Sequence, residues 1–351
     1  MRTLMICGNT IQVISAIRLR QTLFKDDYLA IVIMDTLSNS KSLVERIVEL
    51  GLANEAVEFK NSFVGTGYRK SFKIQVGSES IPKESELKEY NFDRILAGNI
   101  YGVTELYFAK IKKYSPDFYF LMDGVFNYVE EGMRQFIMPS HMERIKHPIV
   151  NSIKGQYIFS KEYGVIYSGF LNLEVQELTR LKDVEKKQFN FVFDFDSNII
   201  PSDCRAIYFE QAFLHDGINM NDIELLKPYV DKFGKDTLYI KKHPRSRQSA
   251  FESEGYKILE DRGMPFEILC MNADISKMTF ITLGSTAAVT PFLFLKEKYR
   301  AYYLYKLRIE SYKKLEDNYL FFCRKVEELV SEQKDFYFPE SMDEYHSMLG
   351  N

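Results

Sequence analysis

The sequence has no tryptophan, only four cysteines and no long apolar run. The cysteines form no Cys-x-x-Cys pair and no Cys/His spacing, which argues against a zinc site and against a disulfide framework; they are Cys7, Cys204, Cys270 and Cys323. Scattered, reduced cysteines are typical of cytoplasmic proteins. The first apolar stretch, 4–7, is too short for a signal peptide or a membrane span. We therefore expect a cytoplasmic protein, with at most peripheral contact at the inner membrane face.

The sequence also lacks an excess of charge of either sign. Its 46 basic and 49 acidic residues leave a net charge of −3. Proteins that bind nucleic acid neutralise many phosphates, so this balance argues against a nucleic-acid partner. The basic cluster Lys110–Lys113 fits the solvated end of a helix, and a role at a membrane surface is the weaker alternative.

The length and the patterning indicate two α/β domains. The 351 residues suit two domains of roughly 150–180 residues each. Apolar runs alternate with helical periodicity, which predicts strands alternating with helices. In the first half the predicted strands are 4–7, 28–34, 93–97 and 117–121, and the predicted helices are 11–23, 41–50, 103–113 and 171–182. In the second half the predicted strands are 190–195, 205–209, 237–242, 256–259, 278–283 and 298–304, and the predicted helices are 222–233, 265–273, 286–294 and 317–332.

Such alternation predicts parallel sheets with helices on both faces. We expect one Rossmann-like domain over 1–187 and a second over 188–351, with a hinge at 186–188 and a polar, irregular segment at 60–90. The last helix is a candidate to pack back on the N-terminal domain. Two domains of this kind, facing each other across a cleft, form the GT-B architecture.

Short polar loops follow the predicted strands of the first half. Gly8, Asn9 and Thr10 follow the first strand, Asn99 follows the third and Asp123 follows the fourth. Ligands of open parallel sheets bind beyond the carboxyl ends of the strands, so we expect these residues to line one cleft. The Asp123 carboxylate could take a proton from a hydroxyl there. An aspartate before glycine is equally suited to forming a turn.

His243 directly follows the predicted strand 237–242. Pro244 restricts its backbone to extended conformations, which fixes the direction in which the side chain leaves the chain. Lys242 and Arg245 add positive charge suited to a phosphate. A histidine with a reference pKa of about 6.5 can donate a proton to a departing phosphate oxygen. Taken alone, His243 is equally open to an ordinary surface or capping role.

A second His-Pro pair offers an internal control. His147 and Pro148 follow Arg144-Ile145-Lys146, where no buried strand is predicted. A histidine that does not leave a strand end has no reason to face a cleft. We therefore expect His147 to lie in a loop.

Gly284, Ser285 and Thr286 lie between the predicted strand 278–283 and a predicted helix. Free N–H groups at the start of a helix, together with two hydroxyls, suit a phosphate. An ordinary helix cap is the alternative that this short motif leaves open.

An Asp-x-Asp pattern occurs at Asp194-Phe195-Asp196. Alternation on a strand would direct both carboxylates to one face, as a metal ion requires. The match is only three residues long and begins the second half, away from the other motifs. We therefore expect no metal site here.

Taken together, the motifs resemble those of bacterial sialyltransferases of glycosyltransferase family 52, which make lipooligosaccharide and capsule sialosides. That family has an acidic-acidic-Gly motif, a His-Pro motif and a Ser-rich motif in this order. The similar residues here are Met122-Asp123-Gly124, His243-Pro244 and Ser285-Thr286, and Ser285 follows His243 at a separation of 285 − 243 = 42 positions. The resemblance covers most of the chain at low identity.

This resemblance implies an inverting, metal-independent and cofactor-free transfer of sialic acid from CMP-sialic acid to a terminal galactoside. The N-terminal domain would take the acceptor and the C-terminal domain the nucleotide sugar. His243 would be the general acid on the CMP phosphate, which Ser285 and Thr286 would hold. Glu267 resembles the acidic residue that recognises cytosine and ribose. The resemblance also suggests a homodimer.

The general base is the open question of this scheme. In the resembled family it lies on a loop that corresponds to 210–217, where Asp216 is the best candidate; Glu210 and Asp222 are further ones. Asp123 is the alternative base or a supporting residue. Met122 departs from the family, because an acid is expected in its position.

Two further functions stay open. One is a related GT-B transferase that uses another nucleotide sugar, such as CMP-Kdo or UDP-glucose. The other is a non-catalytic protein that binds a glycan or a nucleotide during polysaccharide assembly, an alternative that the missing acid at Met122 keeps open.

Overall fold

The structure is a computed structural model that describes residues 1–37, 39–60, 67–129, 140–165, 169–195, 199–211, 213, 217–243, 246, 250–260, 264–312 and 317–350, except for the side chains of residues 317 and 318. By internal packing the chain divides into two units, Met1–Asp194 and Phe195–Asn351. Each unit has its own parallel sheet, which confirms the predicted α/β class.

Unit 1 contains a seven-stranded sheet, and all its neighbouring strands pair in parallel. The strand order is β3-β2-β1-β4-β5-β6-β7. The strands are β1 (Arg2–Cys7), β2 (Tyr28–Met34), β3 (Glu55–Phe59), β4 (Arg94–Ala97), β5 (Asp117–Leu121), β6 (Ile153–Ile158) and β7 (Leu171–Glu174). Near-continuous burial of β1 and β2 explains their unbroken apolar runs, because strands at the centre of a parallel sheet are covered on both faces.

Seven α-helices are described in unit 1. They are α1 (Thr10–Gln21), α2 (Ser40–Glu49), α3 (Tyr68–Gln75), α4 (Val103–Ile111), α5 (Ser140–Arg144), α6 (Pro148–Ser152) and α7 (Asp183–Phe193). A buried ion pair joins the first helix to the last, since Arg18 Nη1 lies 3.0 Å from Glu185 Oε2. Arg18 also donates to the carbonyl oxygens of Gln176 and Glu177. The guanidinium is therefore satisfied although its side chain is only 1% exposed.

Unit 2 contains a six-stranded parallel sheet of order β10-β9-β8-β11-β12-β13. Its strands are β8 (Ala206–Phe209), β9 (Leu238–Lys241), β10 (Lys257–Ile258), β11 (Thr279–Thr282), β12 (Arg300–Tyr303) and β13 (Phe336–Tyr337). The helices described in this unit are α8 (Asp222–Phe233), α9 (Ala250–Ser253), α10 (Phe266–Asn272), α11 (Thr290–Leu295), α12 (Ile309–Tyr312), α13 (Asp317–Val330) and α14 (Met342–Met348).

Both sheets reverse their strand order beside their first strand. In unit 1 the reversal lies between β1 and β4, and in unit 2 it lies between β8 and β11. In doubly wound sheets the crevice at this point, beyond the carboxyl ends of the strands, is where ligands bind. The loops after these four strands are therefore the first places to look for a site.

The region 171–195 differs from its prediction. Residues 171–174 form the edge strand β7 instead of a helix, and residues 190–193 belong to α7 instead of a strand. Phe189, Val192 and Phe193 are buried at helical spacing, and Glu185 caps the helix by accepting from the Lys182 N–H at 2.9 Å. The residues predicted as a hinge, 186–188, lie inside this helix.

One smaller prediction also needs correction. Residues 60–90 were expected to be irregular but contain α3. Within unit 2, Tyr345 of helix α14 contacts the ring of Tyr302, and the Tyr302 hydroxyl donates to the Met348 carbonyl oxygen.

Candidate functional site

A cavity of about 310 Å³ lies at the point of strand reversal in unit 1. The predicted cleft residues Gly8, Asn9, Asn99 and Asp123 line it, together with Gln12, Thr36, Gly98 and Tyr101. Thr10 instead begins helix α1 and is not among the lining residues. The loops after β1, β4 and β5 thus come together as expected from the sequence.

Asp123 contributes an acidic side chain to this cavity. Its Oδ1 atom accepts hydrogen bonds from Asn9 Nδ2, 2.5 Å away, and from Gln12 Nε2. Burial raises the pKa of Asp123 to about 7, although both hydrogen bonds act to lower it. A carboxyl group with this pKa can accept a proton from a substrate hydroxyl near neutral pH.

Gln12 is held in place from both sides. Its Oε1 atom accepts from the Gly8 N–H at 2.6 Å, and its own N–H donates to Asn9 Oδ1 at 2.9 Å, which caps helix α1. A Cβ atom at Gly98 would lie 1.9 Å from Gln12 Nε2. Glycine at this position is therefore required for the side chain of Gln12 to reach Asp123.

A row of amide side chains supports the backbone of Asp123. The Asp123 N–H donates to Asn127 Oδ1 at 2.6 Å, and Asn127 Nδ2 donates to Gln156 Oε1 at 2.9 Å. Gln156 Nε2 in turn donates to Asn172 Oδ1 at 2.8 Å, and Asn172 Nδ2 donates to the Val165 carbonyl oxygen. The row fixes the turn after β5 against β6 and β7. No motif in the sequence predicts this row.

In unit 2, Glu210 follows β8 and His243 follows β9. Glu210 Oε2 accepts from the His243 N–H at 3.2 Å, which ties the two strand ends together. Lys242 Nζ lies 3.2 Å from Glu252 Oε1, so this cation already has a partner on α9. Pro244, Arg245 and the candidate base Asp216 lie outside the described residues.

The Ser-rich loop follows β11 at the point of strand reversal in unit 2. Thr282 Oγ1 accepts from the N–H groups of Gly284 and Ser285 at 3.1 and 2.8 Å. Those two N–H groups are therefore used inside the loop, and Ser285 Oγ accepts from the Ala287 N–H at 3.3 Å as an N-cap. The half-buried hydroxyls of Ser285 and Thr286 are the groups that could meet a phosphate.

The predicted helix 286–294 is in fact a short 3₁₀ helix, Thr286–Ala288, followed by α11. Pro291 at the start of α11 lacks an N–H and so suits the first turn of a new helix. A Cβ atom at Gly284 would lie 2.8 Å from Cys323 Sγ, so the loop packs closely on the unit.

Glu267, to which the resemblance assigns recognition of the nucleotide, is buried in unit 2. Its side chain is 5% exposed, and Oε1 accepts from the Thr290 hydroxyl at 2.8 Å. Burial raises the pKa of this carboxyl above its ordinary value. The carboxyl group thus links α10 to α11 inside the unit.

A larger cavity of about 560 Å³ lies beside Glu210. Asp222, the first residue of α8, also lines it, and its carboxylate accepts from the Tyr208 hydroxyl at 2.6 Å. Burial raises the pKa of Asp222. Both acidic alternatives to Asp216 therefore border one cavity, whose apolar wall includes Phe213, Met220 and Phe251.

Asp194 was predicted to lie on a strand, and this prediction is wrong. It ends helix α7 in the left-handed conformation, with φ at 57°, and its exposed carboxylate pairs with Arg46 at 3.2 Å. Asp196 lies outside the described residues. In the part of the chain that the structure describes, no three His, Cys, Asp or Glu side chains form a group that could hold a metal ion.

The control histidine, His147, lies between α5 and α6, outside both helices, which confirms the predicted loop, but it is buried. It is 3% exposed, caps α6, and its Nε2 atom lies 3.6 Å from Glu105 Oε1. Burial lowers the pKa of His147 to about 4, so the imidazole is neutral near pH 7. It is a packing residue.

Two further features are the state of the cysteines and the apolar length of the helices. All four cysteines are buried and unpaired. Among the described helices, even the longest falls short of the length and apolar character that crossing a bilayer requires.

No family model matches the chain, and no curated protein matches it. Solved structures of similar fold exist. The UDP-GlcNAc 2-epimerase of Methanocaldococcus jannaschii superposes with a TM-score of 0.56 at 13% identity, covering 100% of this chain and 92% of its own. The glycotransferase of kitacinnamycin gives 0.50 at 10% identity, covering 99% and 89%. These likenesses, together with the strand order of each sheet, show that the chain has the GT-B fold.

Proposed function

We propose that this protein is an inverting glycosyltransferase that uses a nucleotide sugar, and that its donor is CMP-sialic acid. The acceptor is a terminal galactoside of a bacterial surface glycan, in lipooligosaccharide or capsule. The observation that carries the transferase proposal is Asp123, a buried carboxyl with a pKa of about 7 in the cavity at the point of strand reversal. The sialyl donor rests on the order of the three sequence motifs.

The transfer needs one base and one acid. The acceptor hydroxyl oxygen attacks the anomeric carbon of the sugar while the bond from that carbon to the phosphate oxygen breaks, which inverts the configuration. Asp123 takes the proton of the hydroxyl, and His243 donates a proton to the phosphate oxygen of the leaving CMP. The hydroxyls of Ser285 and Thr286 hold this phosphate.

The surroundings of Asp123 favour it as the base over the loop carboxylate Asp216. Two amide donors bind Oδ1 of Asp123, which leaves Oδ2 as the atom for the acceptor. Asn9 and Asn99, whose amides also line the cavity, match the hydroxyls of a sugar ring, which need both donors and acceptors. Asp123→Asn and Asp216→Asn distinguish the two bases, because only loss of the true base should abolish transfer while CMP binding persists.

A donor panel tests the proposal. Purified protein is given CMP-sialic acid, CMP-Kdo, UDP-glucose or UDP-GlcNAc with a galactoside acceptor, and nucleotide release and product are measured. We expect turnover with CMP-sialic acid, and turnover about 10²–10⁴-fold slower in His243→Ala. Turnover with another donor alone would show that the protein is a transferase whose donor is that nucleotide sugar instead of CMP-sialic acid. Tight CMP binding without turnover on any acceptor would instead support a binding protein.

Metal independence is tested by chelation. We expect full activity after treatment with EDTA, because this scheme gives the leaving phosphate a protein acid and two hydroxyls in place of a cation. Complete loss of activity that returns on adding a divalent cation would overturn this part of the proposal. The homodimer remains a prediction, which light scattering checks.

A further inference from the structure

Helix α3 turns its aromatic side chains outward. Tyr68, Phe72 and Val76 follow one another at intervals of four residues, and they are 47%, 48% and 58% exposed. The rings of Tyr68 and Phe72 stack, with centroids 6.3 Å apart and planes inclined by 17°. The three side chains therefore form one continuous apolar strip on the surface of unit 1.

The opposite side of α3 holds the helix on the unit. Ser71 and Ile74 are buried, and the helix packs on α4 and α5. In an ordinary surface helix the large apolar residues face the core and the polar ones face water. In α3 the aromatic residues are the ones left in water, and an exposed strip of this kind marks an interaction surface.

Cations border the strip. Arg69 and Lys73 are exposed on α3 between the apolar residues. Within the part of the chain that the structure describes, neither of them forms an ion pair, whereas Lys70 is paired with Glu79 at 3.0 Å. The outward face of α3 thus combines apolar rings with two unneutralised positive charges.

We propose that this face, formed by Tyr68, Arg69, Phe72, Lys73 and Val76, docks on the surface of an anionic lipid bilayer. Helices that lie in a membrane interface present aromatic and aliphatic side chains together with Lys and Arg, which bind acidic headgroups. A stable protein interface takes about 20–30 residues from each partner, many more than this face offers. The complementary charge and the small area therefore favour a lipid surface as the occupant.

Vesicle co-sedimentation of the full chain tests the proposal. We expect binding to vesicles of phosphatidylcholine mixed with phosphatidylglycerol, weaker binding to phosphatidylcholine alone, and a loss of binding as salt increases. Arg69→Gln with Lys73→Gln should weaken binding about thirtyfold, from about 1 kcal/mol for each cation. Tyr68→Ser with Phe72→Ser should also weaken it at least about tenfold, since the rings no longer insert.

The matched control is Val184→Ser with Phe191→Ser, two residues that are 61% and 42% exposed on helix α7 of the same unit. This variant should bind like the native protein. All the altered side chains are exposed, so circular dichroism and Tm should not change. Equal binding by all variants, or none by the native chain, would overturn the proposal.

A change of oligomeric state in Tyr68→Ser with Phe72→Ser, without any effect on vesicles, would also overturn it and identify the face as a contact between protein chains. Vesicle binding needs neither donor nor acceptor. Its failure is therefore distinct from failure of the transferase proposal, which is measured with a water-soluble galactoside.

Discussion

The backbone N–H of Asp123 donates to the side-chain oxygen of Asn127, 2.6 Å away. Asn127 therefore sets the position of the chain on which the buried carboxyl is carried, while Asn9 and Gln12 set the position of the carboxyl itself. Two separate sets of amides thus hold one acid.

Replacing Asn127 should disturb this acid without touching a substrate. Asn127→Asp keeps an acceptor for the Asp123 N–H but loses the donor to Gln156 and adds a negative charge, so the pKa of Asp123 should rise. The midpoint of the acidic limb of kcat/KM against pH should move upward. Asn127→Leu removes both hydrogen bonds and should cost about 1–3 kcal/mol of the free energy of unfolding. An unchanged pH profile in Asn127→Asp would show that the amide row does not influence the pKa of the base.

The activity of the native protein should fall as the pH drops below about 7, because Asp123 must be deprotonated to act as a base. An ordinary aspartate would lose activity only near pH 4. The measurement is kcat/KM from pH 5 to 9 with a donor at low concentration. An acidic limb with a midpoint near 4 would show that another carboxyl is the base.

The same carboxyl should make stability depend on pH. The pKa of Asp123 is raised on folding, from about 3.8 to about 7. Its favourable contribution is therefore fully present below pH 3.8 and is lost as the pH rises through 7. Asp123→Asn removes this loss, so the variant should have a higher Tm than the native protein at pH 8 and a much smaller advantage at pH 5. Thermal unfolding at the two pH values measures the difference, and an equal advantage at both would contradict it.

The two His-Pro histidines should respond in opposite ways to alanine. His243→Ala should lower kcat by about 10²–10⁴-fold with little change in Tm, because it removes the proposed acid. His147→Ala removes a buried side chain and should lower Tm while kcat of the folded enzyme stays close to native. Kinetics and thermal unfolding of both variants make the comparison, and a similar kcat loss in both would remove the special role of His243.

Gly98→Ala should act through Gln12. The new Cβ atom would lie 1.9 Å from Gln12 Nε2, so the amide must leave Asp123. Since that hydrogen bond lowers the pKa of Asp123, its loss should shift the acidic limb of the pH profile upward. Gln12→Leu removes the same bond directly and should produce a similar shift. A shift in only one of the two variants would show that Gly98 acts by another route.

Much of the fold could be predicted because its elements have local signals. The apolar run Tyr28–Met34 forms a buried strand with the predicted bounds, and Asp222–Phe233 forms a helix with the predicted bounds. The error at 190–193 arose because a short apolar run does not by itself distinguish a buried strand from the buried side of a helix. The Glu185 cap was the signal that could have decided it.

The candidate site was predictable only in part. The glycine and asparagine loops follow strands, so topology brings them together. The amide row has no such signal, since Asn127 and Gln156 are 29 residues apart and Gln156 and Asn172 are 16 apart. The burial of Glu267 is equally non-local, because its partner Thr290 lies on another helix.

Helix α1 carries both Gln12, which donates to Asp123, and Arg18, which forms the buried ion pair with Glu185. The two residues are separated by about 9 Å along one rigid helix, from a rise of about 1.5 Å per residue. A substitution that weakens the Arg18–Glu185 ion pair would therefore allow α1 to shift as one body. The pKa of Asp123 would then change, although the substituted residue does not contact Asp123. Such a substitution would lower the stability of unit 1 and the reactivity of Asp123 together, because one helix carries both contacts.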